Sequence, residues 1–156
     1  MIPSKIVVHC SATPPTMDIG AAEIRQWHVR DNGWKDIGYH FVIRRNGVIE
    51  KGRAENVQGA HTGKGGGNIN SLGICLVGGV KRATRNGKPV LVTESNFTAV
   101  QLNALESLLR TLTAKYKITS ILGHRDYDNG KDCPSFSVRD FVHARGIVKP
   151  APFAAR

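Results

Sequence analysis

Apolar residues fall mostly into short runs bounded by turn-forming residues, and one long stretch repeats at helical spacing. Residues 5–10, 39–45, 48–53, 72–77 and 118–123 read as strands, being too short and too rich in Val and Ile for buried helices. Asn46-Gly47 between the second and third runs predicts a hairpin. Residues 98–116 are the clearest helix. Thr98 and Gln101 make a capping pair there, and Leu102, Leu105, Leu108, Leu109 and Leu112 form one apolar stripe. Further helices are predicted over 19–30, with Ile24, Trp27 and His28 on one face, and over 137–144. The glycine-rich stretch 60–70 reads as a loop, as does the segment containing Asn86-Gly87. Strands mixed with helices predict an α/β fold, a mixed central sheet flanked by helices.

Length then sets the scale. A chain of 156 residues forms one domain, expected over 1–148 with a short tail at 149–156, and buries about 70% of its unfolded surface. Residues 1–5, Met-Ile-Pro-Ser-Lys, lack the pattern of a signal peptide, and no run approaches a membrane span. The expectation is a protein made and folded in a cytoplasm. The three cysteines lack a CxxC pair, so a disulfide framework is not expected. Cys10 and Cys75 sit in apolar runs and read as small core residues, whereas Cys133 lies in a polar loop beside Lys131. The formal net charge of +10 predicts a surface that meets anions: nucleic acid, anionic lipid or an acidic polymer such as a bacterial envelope. The basic residues are dispersed, and no nucleic-acid-binding signature accompanies them.

Several catalytic patterns fail. Gly63-Lys64-Gly65-Gly66-Gly67 lacks the phosphate-loop spacing and has no Ser or Thr after the lysine. His124-Arg125-Asp126 starts like a kinase catalytic loop, but Lys131 stands where that pattern needs Asn. No Gly-x-Ser-x-Gly elbow and no His-Glu-x-x-His pair occurs. What survives is a dispersed trio. His9 closes the first apolar run, His124 closes the last, and Cys133 follows just before Pro134. Two imidazoles and a thiolate suit zinc, and three protein ligands leave a fourth tetrahedral position open for catalysis. On spacing alone, three unrelated residues, two at strand ends and one in a loop, remain the alternative.

His9-Cys-Ser-Ala-Thr13, Glu23-Ile-Arg-Gln-Trp-His28, Gly38-Tyr-His-Phe41, Ser71-Leu-Gly-Ile-Cys-Leu-Val-Gly-Gly79 and Cys133-Pro-Ser-Phe136 follow one another in order. Together they resemble the zinc N-acetylmuramoyl-L-alanine amidases, whose wider relatives are the peptidoglycan recognition proteins. The likeness runs over about 6–136. It implies zinc held by His9, His124 and Cys133 in a surface groove, with Tyr39 and Lys131 as the essential residues that do not bind metal. Some relatives carry Asp as the third ligand, which makes Asp132 a rival to Cys133. His61 resembles a histidine at the side of the cleft and is expected to touch substrate, while Asn68 and Ser71 are expected to organise its loop. His40 is expected to be structural, because alternation turns it away from Tyr39.

The implied activity is hydrolysis of the amide between N-acetylmuramic acid and L-alanine in peptidoglycan, by a monomeric phage or prophage endolysin. Such an enzyme accumulates in the host cytoplasm and reaches the wall after the membrane is breached. A non-catalytic peptidoglycan-binding module is the alternative. Regulation of a phage RNA polymerase, a second role among relatives, depends there on a segment before the first strand. Only Met1 to Ser4 precede it here, so that role is not expected.

Overall fold

A computed structural model describes residues 1–147, so the expected boundary at 148 and the tail 149–156 lie outside the described residues. In chain order the elements are β1 (Lys5–Cys10), α1 (Ala21–Gln26), β2 (Phe41–Ile43), β3 (Ile49–Lys51), β4 (Ser71–Leu76), β5 (Val80–Arg85), β6 (Lys88–Thr93), α2 (Ala99–Lys115), β7 (Ser120–Gly123) and α3 (Val138–Ala144). One sheet has five strands in the order β3-β2-β4-β1-β7. Only the β2–β3 pair is antiparallel, and the rest of the ladder is parallel. The predicted α/β class with a mixed sheet is what forms.

The inner strands read as unbroken apolar runs because both their faces are covered. All of β4 is buried, as is β1 after Lys5. On one face Ile6, Val8, Ile74 and Leu76 pack with Leu105 and Leu109 of α2 and Val138 of α3. On the other face Val42, Cys75 and Val77 pack with Ile24 of α1 and Ile37. Cys10 and Cys75 are buried, as expected.

The long helix begins where its capping pair predicts. The Thr98 hydroxyl accepts from the Gln101 amide (3.2 Å), and Gln101 Oε1 accepts from the Thr98 amide (3.0 Å). Gln101 has a second task, since its Nε2 donates to the carbonyls of Ile43 (3.2 Å) and Val77 (2.9 Å) inside the core. It thereby ties the ends of β2 and β4 to α2.

Three elements depart from expectation. The helix predicted over 19–30 starts at Ala21, because Gly20 caps it by donating its N–H to Glu23 (2.8 Å). Its second half widens over Trp27–Asp31, where the Asn32 N–H reaches back five residues to the Trp27 carbonyl (3.2 Å). The segment around Asn86-Gly87 is a hairpin and not a plain loop. Arg85 pairs with Lys88, and Asn86 and Gly87 both take positive φ (52° and 73°), as a two-residue primed turn requires. The hairpin predicted at Asn46-Gly47 does form, but there only Gly47 has positive φ (86°), and the Arg44 N–H donates to Val48 across a longer turn (2.9 Å).

Replacing Gln101 with Leu removes one of two donors from each of the Ile43 and Val77 carbonyls, which keep the Val77 amide and Arg45, respectively, and it breaks the helix cap. The variant is expected to lose about 1–3 kcal/mol of stability. Urea denaturation should show a lower midpoint with an unchanged slope.

Candidate metal centre and active site

His9 and His124 stand at the carboxyl ends of neighbouring parallel strands. His9 lies near the end of β1 and is only 1% exposed, and His124 directly follows β7. A tight turn, His124–Asp126, is fixed by the Gly123 N–H donating to the Asp126 carboxylate (2.8 Å). Cys133 comes from the loop that follows. Its carbonyl accepts from the Arg125 amide (2.8 Å), and its sulfur accepts from the Cys10 amide (3.1 Å).

One potential ligand atom each from His9, His124 and Cys133 lies within 4.8 Å of the others, and this trio is the metal-ligand grouping found among the described residues. His9 Nδ1 is 3.9 Å from Cys133 Sγ, and the two imidazole centres are 4.8 Å apart. Tetrahedral zinc needs about 3.3 Å between nitrogens and about 3.6 Å between nitrogen and sulfur. The three atoms, all within 4.8 Å of one another, therefore fit a metal ion after a contraction of about 1.2–1.5 Å at the widest pair. Asp132, the rival third ligand, points elsewhere, since its carboxylate accepts from the Thr93 hydroxyl (2.8 Å).

Electrostatics keep the nitrogens available. Burial pushes His9 well below the ordinary imidazole range, and His61 and His124 add to the effect. Burial also lowers His124, with the Lys131 charge acting in the same direction. Both rings are thus neutral at pH 7 and able to donate a lone pair. Tyr39 is half-buried with its ring 5.2 Å from that of His9. Burial first, then the thiols of Cys75, Cys133 and Cys10, hold its phenol well above the usual range. It remains a hydrogen-bond donor. Lys131 is exposed on the Cys133 loop, its amide held by the Asp128 carbonyl (3.0 Å).

Residues 1–136 match the family described as N-acetylmuramoyl-L-alanine amidase. The chain belongs to that family. The endolysin of Klebsiella phage KP32 is 47% identical to this amidase over 145 residues, 93% of this chain and 89% of the relative. The solved N-acetylmuramoyl-L-alanine amidase LysC from Clostridium intestinale superposes with a TM-score of 0.72 at 30% identity, covering 94% of this chain and 87% of that one. Bumblebee PGRP-SA superposes with a TM-score of 0.69 at 25% identity, covering 91% and 80% of the two chains.

Around the amidase trio, the remaining predicted residues take different positions. His61 is only 9% exposed and lies behind His9, with its Nδ1 2.9 Å from His9 Nε2. Asn68 organises this loop as expected, its Oδ1 accepting from the amides of His61 (2.9 Å) and Thr62 (2.7 Å). His40 braces the sheet, with Nδ1 accepting from the Gly73 amide (3.0 Å) and Nε2 donating to the Val57 carbonyl (2.8 Å). His28 accepts from the Gly38 amide (2.9 Å) between the rings of Trp34 and Tyr39.

Sequence reasoning missed Thr62, whose hydroxyl is 3.2 Å from His9 Nε2. It also missed Gly73 as a site residue. A Cβ on Gly73 would come within 2.6 Å of the His61 ring, so only glycine lets that ring lie on β4. A glycine inside an otherwise apolar buried strand was the available signal. Gly73→Ala is expected to displace His61 and to lower stability by about 1–3 kcal/mol, read from thermal melting of the metal-free protein.

Proposed function

We propose that His9, His124 and Cys133 of this N-acetylmuramoyl-L-alanine amidase hold one zinc ion, and that Tyr39 and Lys131 complete the catalytic centre. The reaction is hydrolysis of the amide joining N-acetylmuramic acid to L-alanine in bacterial peptidoglycan, the lytic chemistry of an endolysin. The observation that carries the zinc reading is the convergence, within 4.8 Å, of two neutral imidazoles and a thiol from distant parts of the chain. This soft nitrogen and sulfur set suits zinc, whereas calcium and magnesium take oxygen ligands.

When bound, zinc supplies Lewis acidity for the amide carbonyl and for an attacking water near neutral pH. The protein supplies the rest. As a ligand Cys133 would be a thiolate and would bring a negative charge to the site. The Lys131 ammonium offsets that charge and faces the oxygen that gains negative charge as the amide is attacked. The Tyr39 phenol, kept protonated by burial, donates a hydrogen bond to the same oxygen. The enzyme works as a monomer that accumulates in the host cytoplasm and acts on the wall once the membrane is breached. A net charge of +10 draws it to an anionic envelope. No helix among the described residues is long and apolar enough to cross a membrane.

Digestion of purified muropeptides should release stem peptides beginning with L-alanine, detected by mass spectrometry. A chelator is expected to stop their appearance and added zinc to restore it; equal turnover with and without chelator would end the zinc reading. Lys131→Ala should lower turnover by roughly two to three orders of magnitude while leaving zinc stoichiometry unchanged, checked by kinetics alongside elemental analysis. Tyr39→Phe should lower turnover in the same sense.

A further inference from the structure

A metal-binding imidazole can bond an ion through only one of its nitrogens, and the other must carry the hydrogen. For His9 the assignment follows from geometry. Nδ1 faces Cys133 Sγ at 3.9 Å, so the lone pair needed by an ion shared with His124 and Cys133 is on Nδ1. The hydrogen then sits on Nε2, in a residue only 1% exposed, and it needs an acceptor inside the protein. Two acceptors are within reach, His61 Nδ1 at 2.9 Å and the Thr62 hydroxyl at 3.2 Å.

His61 meets this need at a cost. If its Nδ1 accepts, its own hydrogen is on Nε2, a buried atom that makes no well-formed hydrogen bond, with the Ser71 backbone as its nearby acceptor. A poorly met buried donor is a liability for stability, and an apolar side chain would fill the space with less penalty. The surroundings nevertheless hold this ring in place. Asn68 Oδ1 clamps the amides of His61 and Thr62, and Gly73 leaves the space that the ring occupies. The ring's reach toward His9 is what this arrangement secures. Substrate contact does not account for it, since one ring nitrogen is engaged with His9 and the other is shielded from solvent.

We propose that His61, seconded by Thr62, is a positioning residue for the metal: its Nδ1 accepts the Nε2–H of His9 and so holds the His9 Nδ1 lone pair toward the ion. This rests on the zinc reading above. Partners of this kind set ligand orientation and basicity, and their removal typically weakens metal binding by about 10–100-fold.

The test measures zinc affinity of metal-free protein by competition with a chromophoric chelator, for the parent, His61→Ala, His61→Asn, His61→Gln and Thr62→Val. An asparagine amide oxygen falls near the position of histidine Nδ1, whereas a glutamine oxygen falls near that of Nε2. The parent should bind one zinc, and H61A should bind it roughly 10–100-fold more weakly. H61N should recover most of the loss, H61Q should not, and T62V should lose less than H61A. Nitrogen-15 NMR of the zinc-loaded parent should show His9 protonated at Nε2. If H61A fails to fold, judged by circular dichroism, the contrast between H61N and H61Q reads the same geometry. The proposal is overturned if H61A binds zinc as tightly as the parent while KM for muropeptide rises, which would make His61 a substrate contact. It is also overturned if H61N is as weak as H61Q. A parent that takes up no zinc would instead remove the metal reading itself, and this proposal with it.

Discussion

The register of β1 against its two parallel neighbours positions everything at the site. Val8 lies opposite Ile74 on one side and Gly123 on the other. One step further along, His9 and His124 leave the sheet side by side, which is why residues so distant in sequence present their rings 4.8 Å apart. Side chains alternate along a strand, so a slip of one residue would turn His9 to the α2 face and break up the trio. The buried faces forbid that slip, since Ile6 and Val8 on one side of β1 are locked among Ile74, Leu76 and Leu109. Hydrophobic packing of the core and placement of the two histidines are thus one constraint.

Burial of the same strands sets the electrostatics. An imidazole near a strand end in open solvent would share its lone pair with protons near neutral pH. Here low exposure and the neighbouring rings keep His9 neutral, and burial with Lys131 does the same for His124. Tyr39 is affected in the opposite sense, because for a phenol burial penalises the anion, and it stays a donor. One environment therefore prepares lone pairs on the histidines and a proton on the tyrosine.

Much of this was legible in the sequence, for identifiable reasons. Residues 5–10, 72–77 and 118–123 stood out because strands buried on both faces are apolar throughout, and the Thr98–Gln101 pair marked its helix locally. Block-by-block likeness then joined His9, His124 and Cys133, which no local pattern does. The β5–β6 hairpin was missed because exposed Lys81, Arg82, Arg85 and Lys88 outweigh the short apolar run Val90-Leu91-Val92, and neither strand has a buried face to enforce a pattern. Its Asn-Gly signal was as strong as the one at Asn46-Gly47, and it marks the more regular turn of the two. The direction of His61 was illegible for a different reason. It depends on Gly73 and Asn68, and on a strand neighbour in β1, so only the folded chain defines it.

The overlooked hairpin also explains how a polar loop can hold Cys133 close to His9 and His124. The loop bearing Cys133 has little apolar surface of its own to bury, so polar anchors must fix it. The hairpin supplies two of them. Both lie at its open end, where Val80 pairs with Thr93: the Gly79 carbonyl accepts from the Ser135 hydroxyl (2.9 Å), and the Thr93 hydroxyl donates to Asp132 (2.8 Å). These contacts hold the residue on one side of Cys133 and the residue two beyond it on the other. The Arg125 and Cys10 amides then grip the Cys133 carbonyl and sulfur directly. The Thr93 bond also turns the Asp132 carboxylate toward the hairpin, while the neighbouring Cys133 sulfur stands 3.9 Å from His9 Nδ1. A segment that reads as a basic loop thus helps set which side chain faces the histidines.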